Sequence, residues 1–312
     1  MTQKKNLFGK LLEKEGFYKA STIVEDLATK VPQRDPFFSN SPCMSWMSAV
    51  GYYPGTMELL YGPKSSGKTM IVLDRIKNAL KEDPETVAVF VDAEMSFEYE
   101  STLKWMMANG VDLERVLVIR EVCIMEIFEQ KILKDIQLAI KNGEIKVAYI
   151  AMDSIQAMSV LNIPDTEATI TKAAKDGALT KGDFGKRANY LAKIFPFYRK
   201  FCRDYRIFTT FIGQARSGGV DSYGNQIWAT NGGEALYHEV QYRTLVTRAG
   251  DPIFDESQRD IAGKEVKIGH KIKLVQEKNK MGEGDSRIGY ADIIYMKGFT
   301  NVEEELIMLA IS

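Results

Sequence analysis

The run Met57-Glu58-Leu59-Leu60-Tyr61-Gly62-Pro63-Lys64-Ser65-Ser66-Gly67-Lys68-Thr69 decides how the rest of this chain is read. An apolar segment leads directly into a glycine-bounded turn, and a helical apolar periodicity starts where the turn ends. Gly62 to Thr69 satisfies the phosphate-loop spacing G-x-x-x-x-G-K-[ST] in the strand-turn-helix context that gives the spacing meaning. Gly62 and Gly67 allow torsions and close backbone approach that side chains would block, so successive N–H groups and the helix N-terminus can face phosphate oxygens. Lys68 brings a mobile positive charge to the terminal phosphates, and the Thr69 hydroxyl is placed to ligate Mg²⁺. Gly62, Pro63, Lys64, Ser65, Ser66, Gly67, Lys68 and Thr69 are therefore the expected cradle for nucleotide phosphates.

Downstream of this turn, short apolar runs alternate with longer 3.6-period stretches, the rhythm of βα units on a mostly parallel sheet. Strands are predicted at 57–61, 87–92, 116–120, 147–153, 207–213 and 242–247. Helices are predicted at 68–82, 98–109, 125–142 and 186–205, the last bent or interrupted at Pro196. Runs 266–277 and 286–295 have little helix between them and read as an antiparallel extension of the sheet. The segments 159–187 and 215–230 are longer than an unstructured connection in a compact domain usually is, and both follow strands that end at the same sheet edge. Upstream, residues 31–55 carry Pro32, Pro36, Pro42 and Pro54 and interrupt regular structure. Before them, Leu7, Phe8, Leu11, Leu12 and Phe17 form one face of a short amphipathic helix that needs a surface to lie on. The expected organisation is a helical arm over 1–32, a core over 33–300 and a short tail over 301–312.

Composition narrows the function. The 312 residues carry 41 Lys and Arg against 42 Asp and Glu, a formal charge of -1, so the chain does not coat nucleic acid by being cationic overall. Three separated cysteines and two histidines, His238 and His270, offer neither a disulfide framework nor a zinc site. The N-terminal residues lack the apolar core of a secretion signal, and no apolar run is long enough to span a bilayer. A soluble cytoplasmic protein without membrane partners is expected.

Two acidic positions complete the candidate site. Asp153, at the end of the apolar run 147–153, is placed as the second magnesium element through a metal-bound water; capping of the following turn by it or Ser154 is the lesser reading, and the two can coexist. Glu94 lies just beyond the strand ending at Asp92, where it can orient and polarise an attacking water; an acidic helix start is the plainer alternative.

Taken together these residues resemble the RecA family of homologous recombinases, phage members in particular, over about residues 40–300. Residues 57–69 are similar to that family's phosphate loop, Val91-Asp92-Ala93-Glu94 to the segment with its catalytic glutamate, and Asp153-Ser154 to its metal-side strand. Phe211-Ile212-Gly213-Gln214-Ala215-Arg216 resembles the strand that ends in a γ-phosphate-sensing glutamine and opens the second DNA-binding loop, which closes at Asn231-Gly232-Gly233. Lys278-Asn279-Lys280 resembles the lysine pair that reaches ATP on the neighbouring subunit.

The resemblance implies a RecA-like α/β phosphate-loop ATPase with an N-terminal polymerisation arm. Its implied activity is ATP- and Mg²⁺-dependent strand exchange by a head-to-tail filament on single-stranded DNA that pairs with homologous duplex, served by loader and single-strand-binding proteins. Carried over to this sequence, Glu94, Lys68, Gln214, Lys278 and Lys280 act in catalysis and Tyr295 joins the nucleotide site. Arg216, Ser217, Gly218, Tyr223, Asn231, Gly232, Gly233, Lys186 and Arg187 are the implied DNA contacts. With 17 residues after Tyr295, the C-terminal lobe of bacterial members is not expected. A hexameric helicase on the same core, or an assembly protein using ATP only as a clamp, remain alternatives at this point.

Overall fold

A computed structural model of the chain describes residues 34–95, 100–120, 125, 128–158, 184–220, 226–230, 233–282, 285–299, 302–303 and 305–306. The proposed arm over 1–32, most of 159–187, Tyr223, Asn231, Gly232 and most of the tail lie outside these residues.

The strands are β1 (Met57–Gly62), β2 (Val87–Asp92), β3 (Val116–Arg120), β4 (Val147–Asp153), β5 (Phe208–Val220), β6 (Gln226–Thr230), β7 (Tyr242–Arg259), β8 (Glu265–Asn279), β9 (Ile288–Ile294) and β10 (Gly298–Phe299). They form a 10-stranded sheet of order β10-β9-β8-β7-β1-β5-β4-β2-β3, with β6 paired to β5 off this path. The β7-β1-β5-β4-β2-β3 half is parallel throughout, and β7 to β10 add the expected antiparallel extension.

The helices are α1 (Pro42–Ser48), α2 (Lys68–Glu82), α3 (Glu100–Ala108), α4 (Lys134–Lys141), α5 (Phe184–Tyr205) and α6 (Gly233–Glu239), with a π-helical turn at Phe128–Leu133 before α4. Every residue of β1 and of β4 is buried, as a parallel strand covered on both faces must be. One core cluster joins Leu60 and Ile212 to residues of α1, α2 and α3; the other joins Leu59 and Phe211 to residues of α5 and α6. No helix among the described residues is long and apolar enough to cross a membrane.

Four expectations change. α5 runs through Pro196 as one helix, so of the two expected outcomes it is the interruption that falls. Pro196 is on the exposed side, so the carbonyl it leaves unpaired can be hydrated, while Leu191, Phe195, Tyr198 and Cys202 hold the buried side in place. Residues 215–220 are no free loop: β5 continues to Val220 and folds back as a hairpin on β6, with Arg216 opposite Ala229 and Ser217 opposite Trp228. Trp228 packs against the α5-side core and so supplies the apolar anchor that the glycine and serine content hides. The strands read as 242–247 and 266–277 are the ends of a ribbon from Tyr242 to Asn279, with Pro252 accommodated at an irregularity in the pairing. Finally, the proline-rich 31–55 stretch contains α1, whose Ser41 side chain accepts the Met44 N–H with Pro42 opening the first turn.

Candidate nucleotide site

Register brings the site residues to one edge. In the parallel ladder Gly62 is opposite Gln214, and Asp92 is opposite Asp153, so the carboxyl ends of β1, β2 and β4 and the middle of β5 open on one sheet edge. An open α/β sheet binds its ligand at that edge. Gly67 precedes α2 with φ 97°, and a Cβ there would come within 2.4 Å of Ile293 Cδ1. A Cβ on Gly62 would lie 1.9 Å from the Val246 carbonyl oxygen. Gly62 is thus fixed by backbone packing and Gly67 by its left-handed torsion.

Between this turn and the strand ends is a cavity of about 290 Å³, lined by Lys64, Ser65, Ser66, Gly67, Lys68, Thr69, Glu94, Asp153, Gln214 and Tyr295, and also by Met70, Ile212, Arg248 and His270. Lys68 Nζ folds back to donate to the carbonyls of Gly62 (3.0 Å) and Pro63 (2.7 Å). Burial lowers its pKa, with Asp153 and then Glu94 opposing that shift. Thr69 Oγ1 donates to Asp153 Oδ2 at 2.9 Å. Burial first, and then the Glu94 charge, push the Asp153 carboxyl up to about 7. No cluster of three or more His, Cys, Asp or Glu in ligand geometry occurs among the described residues. The donors instead suit a hard cation that keeps waters and takes phosphate oxygens: one hydroxyl, one carboxylate and acidic neighbours whose mutual repulsion a divalent charge would relieve.

Glu94 is exposed on the turn after β2, its N–H donating to the Asp153 carbonyl at 3.0 Å. Its Oε1 accepts both the Ser154 hydroxyl and Gln214 Nε2, the latter at 2.5 Å. Gln214 therefore bridges the carboxylate expected to orient water and the strand expected to reach DNA.

The remaining sequence-predicted residues divide. Arg216, Ser217 and Gly218 are exposed on β5 beyond the cavity, and Ser217 Oγ accepts Gln226 Nε2 at 2.7 Å across the hairpin. Gly233 opens α6, and Lys186 and Arg187 lie in the first turns of α5, their side chains outside the described residues. Lys278 and Lys280 are not among the residues lining the cavity. Lys280 falls past the end of β8, exposed, so the two lysines do not share one strand; buried Asn279 between them donates to the Ser48 carbonyl at 2.9 Å. Lys278 Nζ donates to the carbonyls of Tyr237 and His238 (3.1 Å to the second) at the end of α6. Burial, then Lys280 and Arg243, bring its pKa down to about 8.

Arg248 and His270 escaped the sequence reading. Arg248 Nε donates to the Ser65 carbonyl at 2.8 Å and braces the phosphate turn. His270 is 8% exposed, its ring 5.8 Å from that of Tyr295. Burial lowers its pKa, and Arg248 and Lys267 add to that shift. Nothing local marks either residue, because β7 and β8 reach the site only through the ladder.

The chain is similar to known proteins along most of its length. A sequence profile described as the RecA N-terminal domain matches residues 13–300. Proteins named Protein RecA are similar at low identity: 26% over 248 residues in Mesoplasma florum, covering 79% of this chain and 64% of that protein. The one from Chlorobaculum parvum is 28% identical over 274 residues, covering 88% and 69%. The one from Thermotoga maritima is 27% identical over 315 residues, covering 99% and 78%. The chain thus spans between about two thirds and four fifths of the length of these relatives.

Proposed function

This chain belongs to the RecA family, and on that premise we propose that it is a DNA-dependent ATPase that exchanges DNA strands. In this reading it assembles head to tail on single-stranded DNA, pairs that filament with homologous duplex in recombination and repair, and works in the cytoplasm of a bacterium or a phage-infected host, with loader and single-strand-binding proteins as further partners.

The observation that carries the reading is a single strand. β5 presents Gln214 to Glu94 inside the phosphate cavity and carries Arg216, Ser217 and Gly218 out into the hairpin with β6. A glutamine that exchanges Glu94 for a terminal phosphate oxygen alters the segment joined to it, so the state of the nucleotide becomes affinity for DNA. The phosphate turn and Lys68 hold the triphosphate, and the Lys68 ammonium moves from the Gly62 and Pro63 carbonyls to phosphate oxygens. Thr69 and Asp153 would hold Mg²⁺, which when bound neutralises phosphate charge. Glu94 orients the attacking water and accepts its proton. Tyr295 flanks the nucleoside. Exposed Arg216 and Ser217, with Gly218 permitting close approach, take the sugar-phosphate strand, and Tyr223, Asn231, Gly232, Gly233, Lys186 and Arg187 extend that contact.

Burial, with Lys280 and Arg243 adding to it, lowers the Lys278 pKa, and an anion brought to Lys278 and Lys280 by the ATP of the adjacent subunit would offset that cost. The test is ATP turnover with and without single-stranded DNA at low salt, followed by strand exchange with homologous duplex. Stimulation is expected, and it should vanish in the Lys278→Ala/Lys280→Ala double variant while monomers still bind nucleotide. Equal turnover with and without DNA would contradict the proposal.

A further inference from the structure

Gln156 lies in the turn after β4, half-buried, where no phosphate-loop spacing points. Its Oε1 accepts the backbone N–H of Gln214 at 3.1 Å. Its Nε2 is buried without a partner among the described residues, and a Cβ on Gly213 would lie 3.4 Å from it. The β4–β5 ladder ends at Met152 opposite Phe211; beyond it, the Ile155 N–H donates to the Ile212 carbonyl at 3.1 Å and Gln156 reaches Gln214. The two strand ends are therefore laced together past the end of the sheet. Gln214 is gripped twice, by its side-chain amide on Glu94 and by its backbone on Gln156.

We infer that Gln156 is a positioning residue for the phosphate response, holding the Gln214 backbone so that movement of the Gln214 side chain is passed along β5 into the hairpin. The inference rests on the reading of Gln214 given under Proposed function. A side chain that swings from one partner to another redirects the following residues only if its own backbone is anchored; an unanchored backbone absorbs the change in its local torsions. Within the described residues the β1 neighbour of Gln214 anchors it on one side, through the Gly62 register, and Gln156 anchors the other.

The test uses the full chain and a fluorescent oligothymidylate, whose affinity is measured with a slowly hydrolysed ATP analogue and with ADP. Gln156→Met conserves most of the volume and removes the acceptor. It should cut the ratio of the two affinities about tenfold towards unity, a loss of coupling that a change in stability alone does not produce. Gln156→Glu keeps an oxygen for the Gln214 N–H and should keep most of the ratio. A wild-type ratio in the Met variant overturns the inference, and so does an equal loss in the Met and Glu variants. Gln156→Leu is read by the same criterion should the Met variant fail to fold. A wild-type chain with one affinity in both nucleotides removes the sensing role of Gln214, and the inference with it, whatever the variants do.

Discussion

Asp74, on α2, accepts the Ser39 hydroxyl at 2.7 Å and the Asn40 N–H at 3.2 Å. Burial outweighs these bonds and lifts its pKa from 3.8 to about 6. The folded chain therefore holds a proton there more readily than the unfolded chain, and this carboxyl costs stability as pH rises through the window from about 4 to about 6. Asp74→Asn keeps an acceptor without the charge. Its stability advantage over the wild type should grow across that window by about 1–3 kcal/mol and level off above it, measured by urea unfolding at stepped pH. A constant gap would show that the carboxyl stays ionised throughout. The phosphate-site residues were legible at this scale because Gly62 to Thr69 are contiguous. Gln156, Arg248 and His270 were not, since each gains its meaning from a residue distant in sequence: Gln156 from Gln214, Arg248 from Ser65 and His270 from Tyr295.

Glu58 raises the same issue for whole elements. It sits between Met57 and Leu59 in an apolar run, and the strand reading passes over it. In the fold it pairs with Arg75 of α2 in the fully buried interior and accepts the hydroxyls of Thr210 on β5 (3.0 Å) and Thr244 on β7 (3.4 Å). Arg75 in turn donates to the Tyr52 hydroxyl at 3.0 Å and stacks over that ring at 4.2 Å. One polar knot thus ties α2 to the three strands that carry the phosphate turn, Gln214 and the ribbon. Removing the cation strands a buried carboxylate, so Arg75→Met should cost about 3–5 kcal/mol in denaturant unfolding. The Arg75→Met/Glu58→Gln double variant should recover most of that loss; if it is no more stable than the single variant, packing and not charge is what Arg75 supplies. Strand and helix positions in the parallel half were readable from periodicity. The hairpin and the ribbon were not, because Gly218, Gly219, Gly250 and Pro252 look like breaks until cross-strand pairing is seen.

At the scale of the whole molecule, strand order does the decisive work. β1 lies between β5 and β7, so the phosphate turn opens between the strand that runs into the hairpin and the ribbon that brings in Arg248 and His270. Sequence alone anticipated the parallel strand run and its antiparallel extension, the part that βα rhythm carries; of the two long segments expected at one sheet edge, 215–230 is largely a hairpin and 159–183 lies outside the described residues. It could not anticipate Lys278 resting on the end of α6, a contact between residues 41 apart. The central claim is that nucleotide occupancy at this edge sets affinity for a DNA strand further along β5. It is tested most directly by binding of labelled single-stranded DNA to the wild type and to Gln214→Ala, each with the slowly hydrolysed ATP analogue and with ADP. The account predicts wild-type binding about tenfold or more tighter with the analogue, and one nucleotide-independent affinity in the variant. Equal wild-type affinity in both nucleotides, or an undiminished difference in Gln214→Ala, would contradict it.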